Sequence, residues 1–129
     1  MENDLTAIGI FGLQDPLRED IADSIMRCRK AGLTVIMCTG DNLDTAKAIS
    51  VEAGIIESSD PNLPQYTCMT GKDFREEVGA LKYITTEEGG KEKKTRVVGN
   101  VSKFRKIKQH LRVLARSSPE DKLLLVTGM

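Results

Sequence analysis

Two short stretches of this 129-residue chain carry side chains suited to holding a phosphoryl group. Near its end, Leu114-Ala115-Arg116-Ser117-Ser118-Pro119-Glu120-Asp121-Lys122 runs from an apolar strand into the start of a helix. Ser118 is a favourable N-cap, Pro119 suits the first helical position, and Asp121 three residues after the cap completes a capping-box-like pattern. Lys122 then lies in the first turn, where the helix dipole disfavours a cation by up to about 1 kcal/mol. A bound anion would remove that penalty, because the backbone N–H groups, the dipole and the ammonium would all point at it. Taken alone, Lys122 also reads as an ordinary lysine solvated beside Asp121. The second stretch is Thr39-Gly40-Asp41. Thr39 offers a hydroxyl, Gly40 lets backbone approach an anion, and the helix that follows supplies N–H groups. Ordinary capping by Asp41 or Asn42 accounts for the same residues. If the strands before the two stretches are parallel in one sheet, Thr39 and Lys122 project from one edge and can hold one phosphoryl group between them.

The elements that would position these residues alternate along the chain. Leu5 to Leu13 (LTAIGIFGL) is a nearly continuous apolar run, as expected of a strand covered on both faces. Asp15-Pro16 ends it. Glu19 to Ala31 reads as a helix with Ile21, Ile25 and Cys28 on one face, stopped by Gly32. Leu33 to Cys38 is the next buried strand, and the helix after Asn42 carries Ala46, Ile49 and Ala53 on one face. Strand, helix, strand, helix with short connections predicts right-handed crossovers and a parallel sheet in a three-layer, Rossmann-like α/β class. Residues 57–64 read as an exposed loop, Tyr66 to Met69 as a short strand and Asp73 to Leu81 as a short helix. Thr85 to Lys94 (TTEEGGKEKK) reads as a charged, mobile excursion within a flexible insertion at about 82–101. Ser102 can cap a helix whose Phe104, Ile107 and Leu111 face the core while Lys103, Arg105, Lys106 and Lys108 face water. Arg112 to Arg116 is the last strand.

Composition narrows the function classes. Acidic and basic residues balance at 19 each, so no net field steers the chain onto nucleic acid, and no nucleic-acid partner is expected. Cys28, Cys38 and Cys68 are odd in number and lack a C-x-x-C spacing, which fits free thiols in a reducing compartment. No apolar run approaches the roughly 18 residues of a membrane span.

Three motifs in order also carry a resemblance. Asp15-Pro16-Leu17-Arg18, Cys38-Thr39-Gly40-Asp41-Asn42 with Thr45-Ala46, and Ala115 to Lys122 (ARSSPEDK) resemble successive motifs of the phosphorylation domain of P-type ion-pumping ATPases. They are most similar to those of plasma-membrane-type calcium pumps, over residues 4–81 and 111–126. The resemblance implies a haloacid-dehalogenase-like fold, an incomplete phosphorylation domain over residues 1–129, and a parent pump. That parent would use ATP and Mg2+ to form and hydrolyse an aspartyl-phosphate, with calcium as the transported ion. By the same resemblance Thr39 and Lys122 are the catalytic candidates: Thr39 would bind a phosphoryl oxygen and Lys122 would neutralise phosphoryl charge. Gly40 and Asp41 would shape the nucleotide side, and Asp15 and Arg18 would belong to the hinge toward the nucleotide domain. The expected partners are the nucleotide, actuator and membrane domains of the same pump, with this segment on the cytosolic side of the membrane.

The family's Asp-Lys-Thr-Gly-Thr segment with the phosphorylated aspartate, and its Gly-Asp-Gly-x-Asn-Asp segment, do not occur in the chain. A fragment inactive by itself is therefore expected, with no metal site of its own and no tightly bound cofactor. Exposed strand edges would favour an artefactual dimer in isolation. Two other readings stand beside this one. A free-standing phosphatase of the same superfamily would share Thr39 and Lys122, and a non-catalytic binding module would use the basic helix around residues 103–108.

Overall fold

The computed structural model describes residues 5–12, 16–57, 62–88 and 91–129. Helices and strands alternate: α1 (Ile21–Lys30), β1 (Met37–Cys38), α2 (Leu43–Glu52), β2 (Cys68–Thr70) and α3 (Gly71–Val78) come first. A hairpin of β3 (Leu81–Glu88) and β4 (Lys91–Val98) precedes α4 (Val101–His110), β5 (Val113–Ala115) and α5 (Pro119–Gly128). The first sheet is parallel, in the order β1-β5-β2, and the hairpin forms a separate antiparallel pair. The fold is mixed α/β, an incomplete Rossmann-like arrangement.

β5 is the middle strand, and Val113, Leu114 and Ala115 are all fully buried, which is why it is apolar on both faces. Side-chain alternation along it separates two layers of helix. Val113 and Ala115 pack with Ala46 of α2 and with Met37, and Met37 also meets the cluster of Ile25, Ala53 and Ile55, so α1 and α2 cover that face. Leu114 and Met69 point the other way, into a larger core with Phe74, Val78, Phe104, Ile107 and Leu124 from α3, α4 and α5. Phe74 and Phe104 meet edge to face with centroids 6.2 Å apart. Gly128 closes this layer, since a Cβ there would overlap the Phe104 ring.

Several sequence expectations are corrected. Residues 5–12 form no strand, and Ile8 and Ile10 are almost fully exposed at 94% and 102%. An apolar run becomes a strand only where another backbone pairs with it, and among the described residues β1 pairs on one side only, with β5. The strand expected from Leu33 shrinks to Met37–Cys38 because its partner β5 is three residues long, and Leu33 is exposed. The charged excursion is paired backbone, with Leu81 opposite Val98 and Glu88 opposite Lys91. In the sequence the Gly89-Gly90 pair, with Ile84-Thr85-Thr86 before it and Thr95 to Val98 after it, is the signal compatible with a hairpin. α4 is capped by Asn100, whose Oδ1 accepts from Lys103 N at 3.0 Å, and not by Ser102. Phe104, Ile107 and Leu111 are buried as expected. Lys103, expected in water, instead bonds Glu77 at 2.7 Å and lies over the Tyr66 ring, and the Glu77 bond foremost raises its pKa. Cys28, Cys38 and Cys68 are free and half-buried.

Candidate functional site

At the carboxyl edge of the sheet, each of the three parallel strands runs into the N-terminus of a helix. The turn Thr39 to Asn42 leads from β1 to α2, β2 leads directly into α3, and Arg116 to Ser118 leads from β5 to α5. Each helix start is capped by a side chain. Asn42 Oδ1 accepts from Thr45 N at 2.9 Å, Thr70 Oγ1 from Asp73 N at 3.2 Å, and Ser118 Oγ from Asp121 N at 3.2 Å. The predicted capping box on α5 is complete, since Asp121 Oδ2 accepts from Ser118 N at 2.7 Å. Asn42 caps α2, leaving Asp41 available for other contacts.

The two sequence-predicted stretches meet through backbone. Thr39 N donates to Leu114 O at 3.0 Å, continuing the β1–β5 pairing past the strand end. Ser117 N then donates to Thr39 O at 2.9 Å, and Arg116 N donates to Asp41 O at 2.9 Å. Thr39 and Gly40 are thereby fixed against the turn that begins α5, one turn from Lys122. Arg116 makes this possible by taking a left-handed conformation with φ 48°, which disfavours a Cβ-bearing residue by about 1 kcal/mol. Strain of this kind concentrates where surrounding structure over-determines the backbone.

The Thr39 hydroxyl is engaged within its own turn. It donates to Asp41 Oδ2 at 2.6 Å while accepting from Asp41 N at 3.1 Å. Gly40, Asp41 and Lys122 are exposed, and Thr39 is half-buried. Lys122 is close enough to act electrostatically on the Cys38 thiol: burial raises that thiol's pKa, and the Lys122 charge opposes the rise. Thr39, Gly40, Asp41 and Lys122 thus lie on one edge around two helix starts. Arg18 is exposed and its carbonyl accepts from Ile21 N at 3.1 Å at the start of α1; Asp15 lies outside the described residues.

Sequence reasoning missed Arg75, Gly71 and Ser117. Ser117 supports Thr39 from its side chain as well, with Oγ donating to Thr39 O at 3.1 Å. Gly71 begins α3 against the α5 cap; a Cβ there would overlap Asp121 Oδ2 and fall 2.9 Å from Arg116 O. Arg75, one turn further along α3, pairs with Asp121, which is fully buried. The one available signal was the Thr70-Gly71-Lys72-Asp73 cap pattern after a strand.

The donor set at this edge is a hydroxyl, helix-terminal N–H groups and an ammonium, with Asp41 as the carboxylate of the Thr39 turn. Such a set suits an anion. Among the described residues no group of three or more His, Cys, Asp or Glu side chains is placed to hold a metal ion, and no helix is long and apolar enough to cross a membrane.

Comparison with known proteins is consistent with the motifs. No family model matches the chain. It is 40% identical over 126 residues to the human plasma membrane calcium-transporting ATPase 4, covering 98% of this chain and 9% of that protein. It is 40% identical over 132 residues to calcium-transporting ATPase 1 of Gallus gallus, covering 99% of the chain and 10% of the relative. Identity to calcium-transporting ATPase 2 of Oreochromis mossambicus is 39% over 127 residues, covering 98% and 10%. The chain spans about a tenth of the length of the curated relatives it matches. Along almost its whole length, the chain is homologous to one segment of the plasma membrane calcium-transporting ATPases.

Proposed function

We propose that this chain is part of the phosphorylation domain of a calcium-transporting P-type ATPase, and that its Thr39–Lys122 edge receives a phosphoryl group. The hydrogen bonds from Arg116 and Ser117 to Asp41 and Thr39 are the observation that carries this reading. They tie the two phosphate-like motifs into one rigid edge, and pre-positioned donors are what phosphoryl transfer chiefly requires of a protein. The Thr39 hydroxyl would leave Asp41 and donate to a phosphoryl oxygen, and the Gly40 amide would add a second donor. Lys122 would place its ammonium against the same oxygens, while the dipoles of α2 and α5 favour the negative charge.

In the whole pump ATP would supply the phosphoryl group and Mg2+ would offset its charge. The residues of this edge fit the phosphoryl group and do not form a metal site, so no step of the reading depends on a metal bound by this chain. Without the nucleophilic aspartate segment, the chain neither hydrolyses ATP nor moves calcium by itself. Its partners are the other domains of the pump, and its place is the cytosolic side of the membrane.

Titration of the isotope-labelled chain with inorganic phosphate tests the site. Amide shifts are expected at Gly40 to Asn42 and at Lys122, and Lys122→Ala is expected to remove them. Shifts elsewhere that spare both turns, or magnesium-dependent phosphatase activity of the purified chain, would falsify this reading.

A further inference from the structure

We infer that Arg75 on α3 is a positioning residue for the phosphoryl edge: by holding Asp121 it fixes the first turn of α5, and so the place from which Lys122 reaches toward Thr39. The inference rests on the phosphoryl reading of that edge. Asp121 is fully buried, and its two oxygens have divided tasks. Oδ2 accepts from Ser118 N at 2.7 Å and from Ser118 Oγ at 3.0 Å, while Oδ1 accepts from Arg75 Nη1. Burying a carboxylate is costly unless its oxygens find donors, and Arg75 supplies one to Oδ1. Arg75 itself approaches from the solvent side, its side chain 43% exposed, so it links the outer surface of α3 to the buried cap.

The backbone around this pair leaves little slack. Gly71 lies so close to Asp121 Oδ2 and to Arg116 O that a Cβ at that position would force its neighbours to shift. The turn made by Arg116 is the one whose amides hold Asp41 and Thr39. One chain of contacts therefore runs from Arg75 through Asp121 and Ser118 to the start of α5, and by way of Ser117 to Thr39. If Arg75 is removed, Asp121 Oδ1 is left buried without its partner, so the carboxylate must turn toward water and its hold on Ser118 weakens. Lys122, next in sequence to Asp121, then loses its fixed origin while the sheet and the α1–α2 layer are untouched.

The test uses the full chain and four forms: the natural sequence, Arg75→Ala, Arg75→Lys and Lys122→Ala. Inorganic phosphate affinity is read from amide shifts of Gly40 and Lys122, and hydrogen exchange is followed in the first turn of α5 and, as an internal control, in α1. Arg75→Ala is expected to weaken phosphate binding by about fivefold or more, as for loss of a pre-positioned charged donor, and to speed exchange at Asp121 and Lys122 while α1 stays protected. Arg75→Lys is expected to restore most of both. Unchanged affinity in Arg75→Ala, or a loss accompanied by equal loss of protection in α1, would overturn the positioning role. If the natural chain and Lys122→Ala respond to phosphate alike, the phosphoryl reading itself fails. Unchanged first-turn exchange in Arg75→Ala then overturns the Arg75 contact on its own.

Discussion

The carbonyl oxygen of Thr39 accepts two hydrogen bonds from Ser117, one from its amide at 2.9 Å and one from its hydroxyl at 3.1 Å. This single acceptor joins the turn after β1 to the turn after β5 across 78 residues of sequence. Ser117→Ala removes the side-chain bond and leaves the amide bond, so a loss of about 1 kcal/mol in urea unfolding is expected, with the fold retained. A change below about 0.3 kcal/mol would show that the hydroxyl contributes nothing measurable beyond solvation.

Gly71→Ala places a methyl group against Asp121 and Arg116 O, where the contact is with backbone and a buried carboxylate and not with a flexible tip. The expected loss is about 1–3 kcal/mol, visible as a lower melting temperature. Lys72→Ala, on the exposed side of the same turn, serves as the control and should change stability by no more than about 0.5 kcal/mol. Equal melting temperatures for the two variants would contradict the close packing of α3 on the α5 cap.

Removal of the Ser118 cap should act locally and modestly. Ser118→Ala loses the hydroxyl that accepts from Asp121 N, and about 1 kcal/mol of stability is expected to go with it. Ser118→Asp should recover most of the loss only if the second carboxylate is tolerated beside buried Asp121. Like charges at this distance oppose each other, so Ser118→Thr is the expected rescuer and Ser118→Asp is not. Comparison of the three melting curves decides the point.

Alkaline pH should loosen the fold through two thiols. Burial foremost raises the pKa values of Cys38 and Cys68 above their ordinary 9.0, so the folded chain holds these protons more tightly than the unfolded chain. That contribution is complete below the unfolded value and is lost as pH rises through the higher folded values. Urea midpoints measured from about pH 8 to about pH 10.5 should fall, and the fall should flatten in Cys38→Ser/Cys68→Ser. An equally steep decline in the double variant would assign the effect to other groups.

Part of this arrangement is legible before any folding. The cap Ser118-Pro119-Glu120-Asp121 is a local signal, because N-cap bonding and the fixed φ of proline act within one turn. The apolar period of Phe104, Ile107 and Leu111 likewise marks a buried face without reference to a partner. Residues 5–12 show where such reading stops. Their apolar character is as strong as that of β5, yet β5 lies between two strands and the earlier run has none beside it among the described residues. The hairpin of β3 and β4 is concealed for the opposite reason: its charged composition reads as a loop, while cross-strand backbone pairing supplies the order.

By itself, then, the sequence determined the start of α5, the alternation of α and β, the kinship with calcium pumps, and the placement of Thr39 and Lys122 each after a strand. These depend on neighbours within a few residues or on ordered motifs. Only the tertiary structure decided that β5 lies beside β1, that Ser117 and Arg116 hold the Thr39 turn, and that Arg75 meets Asp121. Those contacts join residues tens of positions apart. Their partners are selected by strand pairing and by the need to satisfy a buried carboxylate, and neither requirement leaves a mark at any one position of the chain.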